Sequence, residues 1–178
     1  MSGMLIAVAV FMAGTDSLAA GVLARVVLPE PQKSGQVSVE EALFKRRSVR
    51  EFTADSVSLE AVSQLCWAAY GVTRRLRSTE VRGGLKTAPS AGATYPLELY
   101  LVAGERGVEN LPPGLYRYNP LAHSLEPAAA AGDLRAAVAR ASLHQTWMAE
   151  APVMVVIAAD YRRCMARYGN RGIQYTHM

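Results

Sequence analysis

Cysteine and histidine are scarce in this chain, which has two cysteines and three histidines among its 178 residues. Cys66 lies within an apolar helical pattern, and Cys164 lies within an arginine-rich segment. The two cysteines therefore lack both the density of a disulfide scaffold and the spacing of metal ligands. The sequence predicts neither a disulfide framework nor a metal site.

The chain also lacks a large excess of charge, since 19% of its residues are charged and the net charge is +4. Its basic residues form local clusters, and those in residues 73–87 are not interleaved with aromatic residues. Such a segment is typical of a solvated loop, so no nucleic-acid partner is expected. A basic binding module that uses residues 45–50 and 73–86 is kept as an alternative. The hydrophobic content of 51% is sufficient for one domain with a core.

No apolar run is long enough for a stable membrane span, which needs about 20 residues. Residues 4–13 are apolar and small residues follow them, which resembles an export signal, although no Lys or Arg precedes the run. The chain is therefore either exported or tethered through residues 4–20, or cytoplasmic with a buried strand or helix at its start. Residues 28–36 contain two prolines and a glycine. They predict an extended lead-in to a domain that begins near Val37.

The pattern after Val37 mixes helices and strands. Ser38 and Glu41 form a capping box for a short helix, in which Ala42 and Leu43 are expected to point inward. The patterns that follow predict a helix over 59–70 that stops at Gly71, and then an exposed loop over 73–87. A strand over 97–102 and a hairpin over 115–126 come next. The rest of the pattern predicts a helix over 133–141, helical turns over 142–149, a buried strand over 152–159 and a helix over 161–168.

Residues 45–50 are the strongest candidate for a ligand site, because they hold four cations and one hydroxyl group. Guanidinium groups bind phosphate oxygens bidentately, and Ser48 adds a neutral donor. The alternative is a solvated basic helix end that complements the helix dipole. Small residues between Pro89 and Pro96 would allow a flat ligand to approach the backbone, although they also form ordinary turns.

Taken in order, the motifs resemble the FMN-dependent nitroreductase-like superfamily, and within it the branch of SagB-type thiazoline/oxazoline dehydrogenases. The matching stretches are SVEEALFKRRSVREF at 38–52, LKTAPSAGATYPLELYL at 85–101, PPGLYRY at 112–118 and YGNRGIQYTHM at 168–178. The ordered set is more specific than any single motif.

This resemblance implies an α+β fold, with a mixed sheet flanked by helices in three layers. It also implies an oxidoreductase that works as a homodimer, with FMN at the interface, a small-molecule substrate, hydride transfer through flavin N5 and a nicotinamide cofactor as a candidate electron donor. By resemblance, the FMN contacts are Arg46, Arg47, Ser48 and Arg50, and the residues that approach the flavin held by the other subunit are Pro89, Ser90, Ala91 and Gly92. Arg50 is the candidate cation beside the pyrimidine edge of the ring.

The chain departs from the branch at two places. The branch assigns proton removal to a Lys-Tyr pair, and the matching positions here are Arg167 and Tyr168. Because arginine stays protonated, it cannot act as a general base, which leaves Tyr168 as the candidate base and Arg167 as a group that stabilises its phenolate. The second departure is an end in mid-pattern at Met178, which indicates C-terminal truncation. A non-catalytic remnant of the fold with weak or no FMN binding is therefore the alternative function.

Overall fold

A six-stranded mixed sheet forms the centre of the computed structural model, which describes residues 5–8 (backbone only), 24–76 and 83–177. The strands of this sheet are β1 (Leu5–Val8), β2 (Val26–Val27), β5 (Leu97–Ala103), β6 (Gly114–Asn119), β7 (Ser124–Ala131) and β8 (Val153–Ala159). They lie in the order β1-β8-β5-β6-β7-β2. β1 runs parallel to β8, and every other neighbouring pair is antiparallel. A separate two-stranded ribbon pairs β3 (Val72–Arg74) with β4 (Leu85–Lys86).

Five α-helices lie in the described residues, and they are α1 (Val39–Lys45), α2 (Leu59–Tyr70), α3 (Arg135–Ala141), α4 (Tyr161–Tyr168) and α5 (Arg171–His177). Turns of 3-10 helix cover Ala91–Ala93 and Thr146–Glu150. Ser38 caps α1 by accepting the Glu41 N–H, which is one half of the predicted capping box. The Glu41 carboxylate accepts from Lys45. Gly71 ends α2, which confirms the predicted stop.

Successive side chains along each strand point to opposite faces of the sheet, and a hydrophobic cluster covers each face. Leu99 and Leu101 of β5 belong to a larger cluster that includes Val62 and Cys66 of α2. Val102 points to the other face and packs in a smaller cluster with Ala139, Met148 and Met154. Helices therefore flank a mixed sheet, and the predicted α+β fold is confirmed.

The packed structure begins earlier than the predicted start near Val37. Leu28 is 5% exposed and lies in the larger cluster. A polar network holds the residue after it: the Ser63 hydroxyl donates to the Pro29 carbonyl, and His123 Nε2 lies 2.9 Å from the same oxygen. His123 Nδ1 is 2.9 Å from the Tyr118 hydroxyl. The lead-in is thus bound to both α2 and the β6-β7 hairpin.

Helix α1 differs from its prediction because none of its residues is buried. Leu43, expected to point inward with Ala42, is 68% exposed, and Phe44 is 79% exposed. The expected loop over 73–87 is also corrected, because its ends pair as β3 and β4, while residues 77–82 lie outside the described part.

The apolar run at the start of the chain is described only in part. Leu5–Val8 pairs with β8, as expected of the strand alternative, whereas residues 9–23 lie outside the described residues and the export signal stays a prediction. In the part of the chain that the structure describes, no helix has the length and apolar character needed to cross a bilayer.

Candidate functional site

The arginine segment, defined here as residues 46–52, leaves the end of α1 without joining a strand. Arg46, Arg47, Ser48 and Arg50 are all exposed. Arg47 Nη1 donates to the carbonyls of Phe44, at 2.8 Å, and of Arg46, at 2.7 Å. Within residues 24–76 and 83–177, none of the three arginines pairs with a carboxylate. Three guanidinium groups therefore face solvent with their charge unneutralised, which suits an anionic ligand.

Trp147 contacts the distal part of the arginine segment. The guanidinium carbon of Arg50 lies 5.3 Å from the centroid of the Trp147 ring. Phe52 stacks on the same ring at 6.4 Å and an interplanar angle of 14°. Trp147 belongs to the 3-10 turn before β8, where the neighbouring Met148 is 1% exposed. The structure shows Trp147 half-buried between the smaller cluster and the arginine segment.

The small-residue segment, residues 89–93, lies immediately before β5. The Ser90 hydroxyl accepts the N–H of Tyr95 at 2.9 Å, which closes the turn. Gly92 adopts φ +56°, a left-handed conformation that favours glycine. Its neighbours Pro89 and Ala91 are exposed and half-buried, respectively. The segment therefore presents backbone and small side chains at the surface.

The structure brings Arg167 and Tyr168 of α4 to this segment, as a candidate site requires. Arg167 Nη1 donates to the Gly92 carbonyl at 3.2 Å. A Cβ atom added at Gly92 would lie 2.3 Å from the Tyr168 hydroxyl oxygen, so that glycine makes room for the phenol. Tyr168 is also in edge contact with Tyr175 at 5.0 Å, and Arg167 lies 5.8 Å from the Tyr168 ring centroid.

The two halves of the predicted site lie at opposite ends of the sheet within one chain. Trp147 and the arginine segment lie near the start of β8. The small-residue segment lies near the end of β8, because the carbonyl of the nearby Pro96 accepts the N–H of Asp160, which directly follows β8. Seven strand residues separate the two ends, which is about 20 Å at roughly 3.3 Å per residue. The arginine segment and Gly92 of one chain therefore do not form a single cleft in the described structure.

A second polar group, which the sequence did not reveal, lies beside the small-residue segment. Lys86 Nζ lies 3.9 Å from the Tyr70 ring centroid and 4.6 Å from that of Tyr95. Arg163 binds the Glu98 carboxylate and donates to the Tyr95 carbonyl at 3.3 Å. Burial raises the pKa of Tyr70, and the Arg163 charge and the Leu97 backbone partly oppose that rise. Tyr70, Lys86, Glu98 and Arg163 line a cavity of about 180 Å³. The only sequence signal was the position of Lys86 in the family-like stretch at 85–101.

Comparisons with known proteins agree with this fold. The sequence profile of the nitroreductase family matches residues 43–178. A candidate nitroreductase of Methanocaldococcus jannaschii is 41% identical over 143 residues, which cover 80% of this chain and 67% of that protein. A trifolitoxin operon protein of Rhizobium leguminosarum bv. trifolii is 30% identical over 156 residues, and the match spans 83% of this chain but only 43% of that protein.

A solved structure gives the same assignment. The crystal structure of a candidate nitroreductase from Ralstonia eutropha JMP134 superimposes with a TM-score of 0.66 and 28% identity, covering 92% of this chain and 70% of that chain. The profile match extends over more than half of the sequence and includes the arginine segment, the small-residue segment and α4. The chain therefore belongs to the nitroreductase family.

Proposed function

We propose that this chain is an FMN-dependent oxidoreductase of the SagB-type branch, whose flavin site is completed by a second copy. The observation that carries the proposal is the group of exposed, unneutralised guanidiniums of Arg46, Arg47 and Arg50 on a segment outside regular structure. Like charges that lie close together repel one another unless a carboxylate partner or a bound anion lies between them. Three within five residues and without such partners in the described structure favour a phosphate ligand.

The residues present fit the phosphate group of FMN. Arg46 and the remaining donors of Arg47 offer bidentate hydrogen bonds, and the Ser48 hydroxyl offers a neutral donor. Arg50 is held farther along the segment, where its charge would stabilise electron density on the flavin ring. When bound, FMN supplies two-electron hydride chemistry, for which a nicotinamide cofactor is the proposed electron donor.

A homodimer explains why the two halves of the site lie apart. Helix α1, directly before the arginine segment, exposes the large apolar side chains of Val39, Leu43 and Phe44. Apolar surface of this kind on a short helix is typical of a protein interface. With α1 docked on a partner, the arginine segment of one chain can meet Gly92 of the other, as the family resemblance implies. Pro89, Ser90, Ala91 and Gly92 would then approach the flavin from the partner side.

Arg167 and Tyr168 are proposed to act on the substrate beside that flavin. The Arg167 guanidinium stays protonated, and its hydrogen bond to Gly92 fixes it against the small-residue segment. It can therefore orient a substrate but cannot accept a proton. The Tyr168 hydroxyl is the nearest group to Gly92 that can give or take one. A packing role for Tyr168 against Tyr175 is the alternative, and undiminished turnover of a Tyr168→Phe variant would establish it.

FMN titration of the purified chain tests the proposal. We expect flavin fluorescence to be quenched on binding and the visible flavin bands to remain with the protein after gel filtration. Arg46→Ala and Arg50→Ala should each raise the Kd for FMN by roughly tenfold or more, because a charge-assisted hydrogen bond is worth about 1.5 to 3 kcal/mol. The matched control is Arg74→Ala, which removes an exposed arginine from β3 and should leave the Kd unchanged.

A protein that stays colourless in excess FMN would overturn the proposal and favour the non-catalytic form of the fold. Equal effects of all three arginine variants would show instead that general positive charge, as in a basic binding module, accounts for the affinity. Such general binding would also weaken steeply with salt.

A further inference from the structure

We infer that Trp147 is a positioning residue that holds the arginine segment in its ligand-binding geometry. The inference rests on the proposed function for the identity of the ligand, but its structural part depends only on contacts within the chain. Within the described residues, the segment is attached to the domain by backbone bonds only at its two ends. The last backbone bond of α1 reaches Arg46, and the next backbone bond along the chain joins Val57 to Gly107.

Between those two points the segment has little else to hold it. Residues 48–56 form no hydrogen bond to any other described residue. Val49 is 55% exposed, so the one aliphatic side chain of the arginine segment does not anchor it in a core. The aromatic contacts of Arg50 and Phe52 with Trp147 are therefore the side-chain attachment that the structure shows.

Arg50 and Phe52, which are two residues apart, both lie against the Trp147 ring. Glu51 between them is exposed. In an extended chain, alternate side chains point to the same side of the backbone, and the spacing of Arg50 and Phe52 suits that arrangement. One indole thus engages two side chains of the segment, which restrains its direction as well as its position.

The 3-10 turn that carries Trp147 is itself anchored to the domain. Met148 lies in the smaller cluster with Val102 and Met154. The Ala151 carbonyl at the end of the turn accepts a bond of 2.8 Å from Arg135 Nη1. Trp147 therefore projects from a turn that is fixed by the core on one side and by an arginine on the other. Such a support can hold a functional segment in place.

The contact of Arg50 with the Trp147 ring leaves its guanidinium free to bind an anion. A guanidinium has five N–H donors in its plane, and an interaction through its carbon over a ring leaves those donors available to oxygen acceptors. The arrangement restricts the side chain before any ligand arrives. Less conformational freedom is then lost on binding, which raises affinity without a new ligand contact.

Limited proteolysis of the apo chain tests the attachment without FMN. Trypsin cleaves after Arg46, Arg47 and Arg50, and the rate of cleavage rises as the segment spends more time away from the domain. We expect Trp147→Leu to raise the rate of cleavage at these sites severalfold, and Trp147→Phe to keep it near the wild-type rate. The chain has two tryptophans, and the control is Trp67→Leu on α2, which removes an indole with no contact to the arginine segment.

FMN affinity measured with the same variants tests the positioning role. Trp147→Leu should weaken binding on the order of tenfold, equivalent to about 1.4 kcal/mol. In an Arg50→Met background the same change should cost much less, because the indole then has no guanidinium to orient. Trp67→Leu should bind FMN as the wild type does. A merely structural role for Trp147 would give equal losses in both backgrounds.

The outcomes separate this inference from the proposed function. Unchanged cleavage in Trp147→Leu overturns the inference even if the protein binds FMN. Faster cleavage, together with losses of FMN affinity that are equal in the wild-type and Arg50→Met backgrounds, overturns the role of Trp147 in positioning Arg50. A wild-type chain that binds no FMN overturns the proposed function and with it the flavin role of Trp147, whatever the cleavage pattern. Faster cleavage together with a coupled loss of affinity supports both.

Discussion

Substituting Gly92 tests whether Tyr168 is held against the small-residue segment. In Gly92→Ala the new Cβ would lie 2.3 Å from the Tyr168 hydroxyl oxygen and 2.8 Å from Arg167 Nε. No real Cβ atom tolerates such distances, so both side chains must move. Both are flexible at their ends, and the backbone can therefore stay in place while the two proposed substrate-binding groups are displaced.

Three costs add up in this variant. A residue other than glycine at φ +56° costs about 1 kcal/mol. Rotation of Tyr168 disrupts its edge contact with Tyr175, which is worth roughly 0.5 to 1.5 kcal/mol. With the weakened bond from Arg167 to the Gly92 carbonyl, the free energy of unfolding should fall by about 2 to 3 kcal/mol. For a chain of 178 residues that lowers Tm by roughly 4 to 12 °C.

Thermal unfolding in two backgrounds separates the costs. Tyr168→Phe removes the oxygen that the Cβ would strike, so adding Gly92→Ala to it should cost clearly less than in the wild type. The backbone cost at φ +56° is the same in both backgrounds and cancels in the comparison. Equal losses in the two backgrounds, or no loss in Gly92→Ala, would refute the close contact between Gly92 and the phenol.

Three further outcomes can be checked by unfolding experiments. Hydrogen bonds from Arg135 lower the pKa of Asp133 to about 2, so its contribution is present above pH 3.8 and is lost as pH falls towards 2. Asp133→Asn should cost about 1 kcal/mol at pH 7 after allowance for solvent screening, and this cost should shrink as pH falls through 2. Leu101→Ala should lower the free energy of unfolding in urea by about 3 kcal/mol, because the Leu101 side chain is 1% exposed. A loss below about 0.5 kcal/mol, as is usual at an exposed site, would contradict this. Arg163→Met should cost about 2 kcal/mol, and adding Glu98→Gln should recover part of it, whereas additive losses would argue against their pairing.

Much of the fold could be predicted because its central elements have strong periodic patterns. The apolar run of β8 and the alternation of β5 depend on residues that the structure indeed buries, such as Val153 and Leu101. Helix α2 combines a capping serine, an apolar stripe and a terminal glycine, so its limits were clear. Where local propensity and burial agree in this way, a single sequence is enough.

The errors lie where burial depends on distant or absent neighbours. Leu43 was expected to face a core, because an apolar stripe on a helix normally does. In one chain that face is exposed, since no element of the described structure lies over it. Leu28 shows the opposite case: a proline-rich lead-in has no periodic signal, yet His123 and Ser63 hold it from sequence separations of 94 and 34 residues. Long-range partners of this kind leave no local pattern.

The candidate site shows the same division. The chemistry of Arg46, Arg47 and Arg50 could be proposed from composition and spacing, whereas the contact of Arg50 with Trp147 joins residues almost a hundred positions apart. The contact of Arg167 with Gly92 likewise spans 75 positions. Residue types could therefore suggest what the groups bind, but the folded structure is needed to show which of these side chains are in contact.

The position of α1 links association of two chains to ligand binding in the proposed enzyme. Its exposed apolar face and the unneutralised arginines belong to one continuous peptide, with Phe44 only two residues before Arg46. Burying Phe44 and Leu43 against a partner would order the end of α1 and hence the start of the arginine segment, while Trp147 orders its other end. A ligand held by the segment would in turn favour the associated state, because the coupling between two binding events is reciprocal. The same physical feature, a segment with few contacts of its own, thus explains both why one chain leaves it exposed and why a dimer with flavin would fix it.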